Sequence, residues 1–235
     1  MNDFIWTDLS TYYPKEVIPF YENVFGWNFH DAGGYHVAFT EHGEEVCGVY
    51  ETPSFFQKIK MPHFWMNYIQ VEDLKATAKL AEQLGGKIEV NDEVFYGGRI
   101  ALIRDTLGAG FTVYEGKKLK QSVIPASIQR ELHVSNVSKA IDFYGNLFDW
   151  ELRPSTKDHI EIFNAAGSRL GAILELPNST KGTYEYWVTV FKVNDLASTR
   201  QRIAASGGTV ISDEGYRMLF ADPLGEAFFY IQALD

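Results

Sequence analysis

Apolar residues recur at helical spacing in two near-copies along the chain. In the stretch Ile18-Pro19-Phe20-Tyr21-Glu22-Asn23-Val24-Phe25-Gly26-Trp27, the stripe is Val17, Ile18, Tyr21, Val24 and Phe25. In Ile141-Asp142-Phe143-Tyr144-Gly145-Asn146-Leu147-Phe148-Asp149-Trp150, it is Ala140, Ile141, Tyr144, Leu147 and Phe148. Each stripe predicts an amphipathic helix with one buried face. The flanks repeat as well, which marks a duplication. Trp65, Val71, Asp73, Leu74, Thr77, Gly85 and Gly86 return as Trp187, Val193, Asp195, Leu196, Thr199, Gly207 and Gly208. Asp105-Thr106-Leu107-Gly108 with Phe111 returns as Asp222-Pro223-Leu224-Gly225 with Phe228, at an offset that implies a short deletion in the second copy.

Between these landmarks the period changes to two, the signature of strands. Phe4 to Leu9 is a strand with Ile5, Thr7 and Leu9 on one face and Trp6, Asp8 and Ser10 on the other. Tyr12-Tyr13-Pro14 opens a helix, and Pro19 predicts that this helix begins later or is kinked. Tyr35 to Thr40 and Glu45 to Tyr50 follow as strands around His42-Gly43. Phe64 to Val71 starts the programme again, with a helical stripe at Leu74, Thr77, Ala78, Ala81 and Leu84, a stop at Gly85-Gly86, and strands at Lys87 to Val90, Arg99 to Arg104 and Phe111 to Tyr114. Ile128 to Val134 opens a third unit, with a strand pair around Ala166-Gly167, and Tyr186 opens a fourth. Trp27 and Trp150 are read as plugs of the core after each helix.

Residues 117–125, with Lys117, Lys118 and Lys120, read as a linker between a domain at 1–116 (modules 1–60 and 61–116) and a domain at 126–235 (modules 126–182 and 183–235). A length of 235 residues with 46% hydrophobic content suffices for two small cores. The formal net charge of -10 argues against nucleic acid or an anionic membrane as partner. The single cysteine, Cys47, has no internal disulfide partner and reads as a small buried residue, which points to a reducing, cytoplasmic setting. A monomer or homodimer is expected.

The four strand-helix-strand-strand-strand units, the paired Phe-Tyr and Phe-x-Trp, the Gly-Gly after the helix and the Asp-x-Leu-Gly motif resemble the vicinal oxygen chelate superfamily of glyoxalases, bleomycin resistance proteins and extradiol dioxygenases. Trp6, Gly33-Gly34-Tyr35 and Val46-Cys47-Gly48 are similar to its tandem two-domain, glyoxalase-like branch. The resemblance implies an α+β fold of four βαβββ modules in two glyoxalase-like domains, each with a curved mixed sheet around a cavity. It also implies a divalent ion held by the first strand of each module and a glutamate on the last strand. Alignment on the motifs puts Trp6, Met66 and Thr112 at those places in one half, and Gln129, Val188 and Phe229 in the other. Tryptophan, valine and phenylalanine cannot ligate, and methionine suits hard divalent ions poorly. A catalytic metal generally takes about three protein ligands, so no metal cofactor is expected in either cavity.

Strand alternation then names the side chains expected in the cavities. In the first half these are Trp6, Asp8, Met66, Tyr68 and Gln70, with Thr112 from the last strand. In the second they are Gln129, Glu131 and His133, with Lys192 and Phe229. Glu131 and His133 could orient a polar ligand or move a proton, or could belong to a wet structural face. Asp8 reads as one half of a hydrogen-bonded structural pair with Tyr68, and His36, His42 and His63 as surface or turn histidines. The expected function is small-molecule binding with the metal site lost. A glyoxalase-type lyase or isomerase with non-standard ligands and a protein-interaction module stand as alternatives, and the enzyme question is open.

Overall fold

The computed structural model describes residues 2–58, 60–117, 119 and 127–234, so the expected linker lies largely outside the described residues. In chain order the first module holds β1 (Phe4–Thr11), α1 (Pro14–Phe25), β2 (Asn28–Asp31), β3 (Tyr35–Phe39), β4 (Glu45–Glu51) and the short α2 (Ser54–Lys58). The next has β5 (Phe64–Gln70), α3 (Leu74–Gln83), β6 (Lys87–Phe95), β7 (Gly98–Arg104) and β8 (Gly110–Glu115). Then come β9 (Ile128–Val134), α4 (Val137–Leu147), β10 (Glu151–Thr156), β11 (His159–Phe163) and β12 (Arg169–Glu175). The last has β13 (Tyr186–Val193), α5 (Leu196–Ala205), β14 (Thr209–Asp213), β15 (Arg217–Ala221) and β16 (Phe228–Ala233). The short exposed β2 and α2 carry weak patterns, and the sequence did not reveal them.

The strands form two eight-stranded sheets, ordered β2-β3-β4-β1-β5-β8-β7-β6 and β10-β11-β12-β9-β13-β16-β15-β14. In every module the last strand runs parallel to the first, as β4 does to β1, β8 to β5, β12 to β9 and β16 to β13. The pairs β2–β3, β3–β4, β6–β7, β7–β8, β10–β11, β11–β12, β14–β15 and β15–β16 are antiparallel, so the sheets are mixed. Each hydrogen-bonded sheet draws on one half of the chain, whereas each compact packing unit draws on both. One unit takes in Met1–Trp6, Asn67–Lys120 and Arg130–Val188; the other takes in Thr7–Met66, Gln121–Gln129 and Thr189–Asp235.

In the first unit, α3 and α4 pack together over Ile69, Ile103, Phe111, Leu132 and Ile173. In the second, α1 and α5 pack over Leu9, Val49, Phe191, Phe220 and Ile231. The repeated residues explain themselves in these cores. Asp73 and Asp195 are N-caps, accepting from the amides of Ala76 at 2.8 Å and Ser198 at 2.9 Å. Gly85 and Gly207 take φ of +92° and +87°, which ends the helix. Gly86 and Gly208 make room: a Cβ on Gly86 would stand 3.1 Å from the Phe143 ring, and one on Gly208 2.9 Å from the Phe20 ring. The phenylalanine of each Phe-Tyr pair therefore lies against the second glycine of a Gly-Gly pair.

The tyrosine of each pair has a different task. In the first unit Tyr144 Oη donates to Asp105 Oδ2 at 3.0 Å and accepts from Trp187 Nε1 at 2.9 Å, all three side chains being buried. The matching residues of the second unit are Tyr21, Trp65 and Asp222, whose corresponding atoms each lack a partner in hydrogen-bond geometry. Trp27 and Trp150 join the two cores as expected. Helix α1 runs unbroken from Pro14 through Pro19, correcting the expectation of a later start. Burial of Val17, Phe20, Tyr21 and Val24 offsets the proline's cost of about 3 kcal/mol. Among the described residues no helix is long and apolar enough to cross a membrane.

Candidate functional site

The sheet face turned away from the helices is identified by what the cores leave out. In the second unit, Leu9 lies in the core, so its alternating neighbours Asp8 and Ser10 point to the other face. Asp8 is fully buried and accepts a hydrogen bond of 2.6 Å from Tyr35 Oη on β3. Gly48, the Cα partner of Asp8 on β4, makes this bond possible, because a Cβ there would overlap Tyr35 Oη and Asp8 Oδ1. Beyond it Ser10 Oγ and Thr52 Oγ1 lie 2.6 Å apart. Met66, on β5 in the same unit, is also buried and outside the apolar core cluster.

In the first unit, Leu132 and Val134 are core residues, and Glu131 and His133 occupy the opposite face of β9. Glu131 Oε2 and His133 Nε2 are 2.9 Å apart, each residue being 7% exposed. Tyr186 stacks on the His133 ring at 5.2 Å between centroids and 20° between planes. Glu131 pairs with Ala172 in the middle of β12, as Asp8 pairs with Gly48 in the middle of β4. The two carboxylates are thus equivalent positions of the repeat. One is bonded to a tyrosine on another strand, the other to a histidine two residues along its own.

The remaining expected residues divide unevenly. Tyr68 and Thr112 are brought together as Cα partners on β5 and β8, both fully buried, and Thr112 Oγ1 has no hydrogen-bond partner. Trp6 is buried and outside the apolar core cluster. Lys192 pairs with Gln232 and Gln129 is half-buried on β9. Phe229 is a correction: it is wholly buried in the core and packs on Phe20, Tyr21, Phe25, Phe191 and Phe220. The cause is loop length. The amide of Asp105 donates to the carbonyl of Ala109, whereas that of Asp222 donates to Ala227, one residue further. Phe229 therefore matches Phe111, and Tyr230, the Cα partner of Val190, matches Thr112.

Tyr230 lies under Arg217, whose guanidinium carbon is 4.5 Å from the ring centre and whose Nε bonds Glu214 at 2.9 Å. His63 is another correction, being buried, with Nδ1 3.3 Å from Thr11 Oγ1 and Tyr12 and Tyr13 against its ring. Burial holds its pKa below the ordinary value, against the opposing pull of Glu226. Burial likewise pushes the Cys47 thiol well up, with Asp8 adding to the effect, which makes it inert. Tyr35 and Gly48, which the sequence offers only as parts of family-like motifs, and Tyr186 and Tyr230 are not among the expected site residues. Alternation counted back from the core residue Ala38 puts Tyr35 on the face of Asp8, since the register from Tyr35 to Ala38 is unbroken.

A cavity of about 560 Å³ opens elsewhere in the second unit, lined by Trp27, Thr40, His42, Phe191, Lys192 and Arg202 among others. It includes none of Asp8, Tyr35 or Met66, and Arg202 is engaged by Val24, Ser198 and Thr199. The donor set at the strand places where the resemblance puts a metal is now Trp6, Met66 and Thr112, and Gln129, Val188 and Tyr230. Neither set offers three good ligands, so these residues do not fit a hard divalent ion. Among the described residues no three of histidine, cysteine, aspartate and glutamate are grouped to hold one elsewhere.

The chain belongs to the glyoxalase/bleomycin resistance protein/dioxygenase superfamily, whose sequence model matches residues 6–113 and 127–228. It is 28% identical over 262 residues to the anthracycline biosynthesis protein DnrV of Streptomyces peucetius, covering 97% of this chain and 92% of that one. It is 25% identical over 242 residues to CFP32 of Mycobacterium bovis, named as a candidate glyoxylase, covering 95% and 92%. Among solved structures, the Mn(II)-bound glyoxalase of Novosphingobium aromaticivorans superposes with a TM-score of 0.60 at 13% identity, covering 99% of this chain and 83% of that one. A substrate complex of homoprotocatechuate 2,3-dioxygenase from Brevibacterium fuscum gives 0.65 at 10% identity, covering 99% and 80%. At these identities the structural likeness speaks for the fold alone.

Proposed function

We propose that this protein is a small-molecule-binding member of the superfamily that works without the inherited metal. The observation that carries the reading is the pair of equivalent carboxylates, Asp8 and Glu131, each buried on the face turned from the helices and each bonded to a ring. A buried carboxylate held in place by a hydrogen bond is a preorganised acceptor, and apolar and aromatic neighbours supply the contact area that a ligand site needs. The similarity to a protein of anthracycline biosynthesis supports an aromatic, oxygen-bearing ligand.

A melting-temperature screen of small aromatic metabolites tests this, each compound being run with a chelator and again with added Mn(II), Ni(II) or Zn(II). A ligand that binds the native state raises the midpoint by mass action. The expected result is a response that chelation leaves unchanged. A tightly held stoichiometric metal, whose removal abolishes every ligand response, would overturn the reading. A second reading, proton transfer within a glyoxalase-type reaction, is supported by the 2.9 Å contact of Glu131 with His133. Turnover lost in both Glu131→Gln and His133→Gln would favour it.

A further inference from the structure

In the first packing unit Tyr68 is fully buried, and the ring that covers it is Phe95, at 5.6 Å between centroids and 15° between planes. Tyr68 points away from the helices, since Ile69 beside it lies in the core. Phe95 is the last residue of β6 and pairs with Gly98 across a two-residue turn, Tyr96-Gly97. Both turn residues have positive φ, +41° and +74°, as the tight hairpin turn requires. Glycine adopts this region freely, but a bulky side chain such as Tyr96 is strained there. The pairing of β6 with β7 also shifts register twice, between Ile88 and Val90 and between Val90 and Glu93. Phe95 is thus delivered onto Tyr68 by a strained turn at the end of an irregular ladder.

The residue paired with Tyr68 supplies the second observation. Thr112 Oγ1 is wholly buried, faces the same side as Tyr68, and has no hydrogen-bond partner. A buried hydroxyl without a partner is uncommon in a native protein and indicates a missing acceptor or donor. A ring covered by the protein's own ring, beside an unmet hydroxyl, has the form of a ligand site filled from within.

Resting on the small-molecule reading above, we infer that Tyr68 is the stacking platform for a planar aromatic ligand bearing an oxygen, that Thr112 supplies its hydrogen bond, and that Phe95 occupies the ligand's place until the β6–β7 hairpin moves aside. Offset stacking of flat rings explains the selection for a planar ligand, and exchange of Phe95 for that ligand replaces one ring pair by another.

The test uses the full chain in chelator with 1,4-dihydroxyanthraquinone as probe, its dissociation constant being read by titration calorimetry. Phe95→Ala removes the competing ring and should bind the probe about two- to ten-fold more tightly than the parent, the factor one aromatic pair is worth. Adding Tyr68→Leu should abolish that gain, and Thr112→Val should weaken binding by about two- to ten-fold, as for a single hydrogen bond. If Phe95→Ala melts too low to be used, Phe95→Leu keeps bulk without the ring and must change affinity in the same direction. Binding no tighter in the Phe95 variant than in the parent, including no binding by either, overturns the inference. A chelator-insensitive response to other compounds in the melting screen would still stand in that case, so the two failures are distinguishable.

Discussion

Replacing Tyr144 with phenylalanine, and Tyr21 likewise, makes a pair of experiments in which the same deletion should have different consequences. Tyr144 Oη joins Trp187 Nε1 at 2.9 Å to Asp105 Oδ2 at 3.0 Å, and all three side chains are buried. Removing the hydroxyl leaves an indole N–H and a carboxylate oxygen unmet. Each unsatisfied buried group costs about 1–3 kcal/mol, so Tyr144→Phe should lose about 2–6 kcal/mol. At the matching position, burial pushes the Tyr21 phenol well above its ordinary pKa, Asp222 adds to this, and Trp65 opposes it. The three are therefore neighbours, and Trp65 Nε1 lies near enough to Tyr21 Oη to oppose the rise, yet Tyr21 Oη, Trp65 Nε1 and Asp222 Oδ2 each lack a partner in hydrogen-bond geometry. Deleting a buried hydroxyl that bonds nothing gives up only its own burial, so Tyr21→Phe should stay within about 1 kcal/mol of the parent. Urea titration at neutral pH, followed by far-ultraviolet circular dichroism, measures both. Equal losses in the two variants, or a Tyr144→Phe midpoint matching the parent, would refute the assignment of those bonds.

Three further outcomes follow from the same geometry. Burial raises Asp222 to about 6, against the opposing amides of Leu224, Gly225 and Ala227, while its unfolded value is about 3.9. The folded state therefore binds this proton more tightly, and the stability it contributes is full below about pH 4, is lost as pH rises to about 6, and amounts to about 2–3 kcal/mol. Asp222→Asn should flatten that part of the profile, and an unchanged slope would exclude Asp222 as its source. Gly48→Ala should cost about 2–4 kcal/mol by driving a methyl into the Tyr35–Asp8 bond, a parent-like melting point being the contrary result. Glu131→Gln should weaken a cationic or hydrogen-donating ligand found in the melting screen by about 1.5–3 kcal/mol, and unchanged affinity would place Glu131 on a merely structural face.

Much of the fold was legible because the duplication repeats those residues whose partners come from another module. Phe20 and Phe143 oppose Gly208 and Gly86, and Tyr144 needs both Trp187 and Asp105. A change at one of these positions demands a matching change at its partner, so the pattern is written twice. The expected helical stripe lies slightly off the true buried face: it includes Ile18 and Ile141, whereas the structure buries Phe20 and Phe143 more completely. The Phe229 error had a local cause, since one extra residue in the Asp222 loop reverses every later side chain of β16, and no alternation rule reports a loop's length. Tyr35, which reaches across from β3 to Asp8, could not be read from either strand alone.

The face turned from the helices follows a different rule, and this is why the two halves diverge there. Asp8 and Glu131 remain carboxylates at equivalent register, yet their partners have become Tyr35 and His133. The position paired with β5 is Thr112, with an unmet hydroxyl, while its match on β16 is Tyr230, stacked under Arg217. On the small-molecule reading proposed above, a ligand is the constraint that holds these side chains. Two surfaces that keep a common acceptor while changing ring, hydroxyl and cation cannot present the same hydrogen-bonding pattern. Different ligands in the two halves, or one ligand in only one of them, are therefore expected, and two equivalent calorimetric sites for a single compound would contradict the argument.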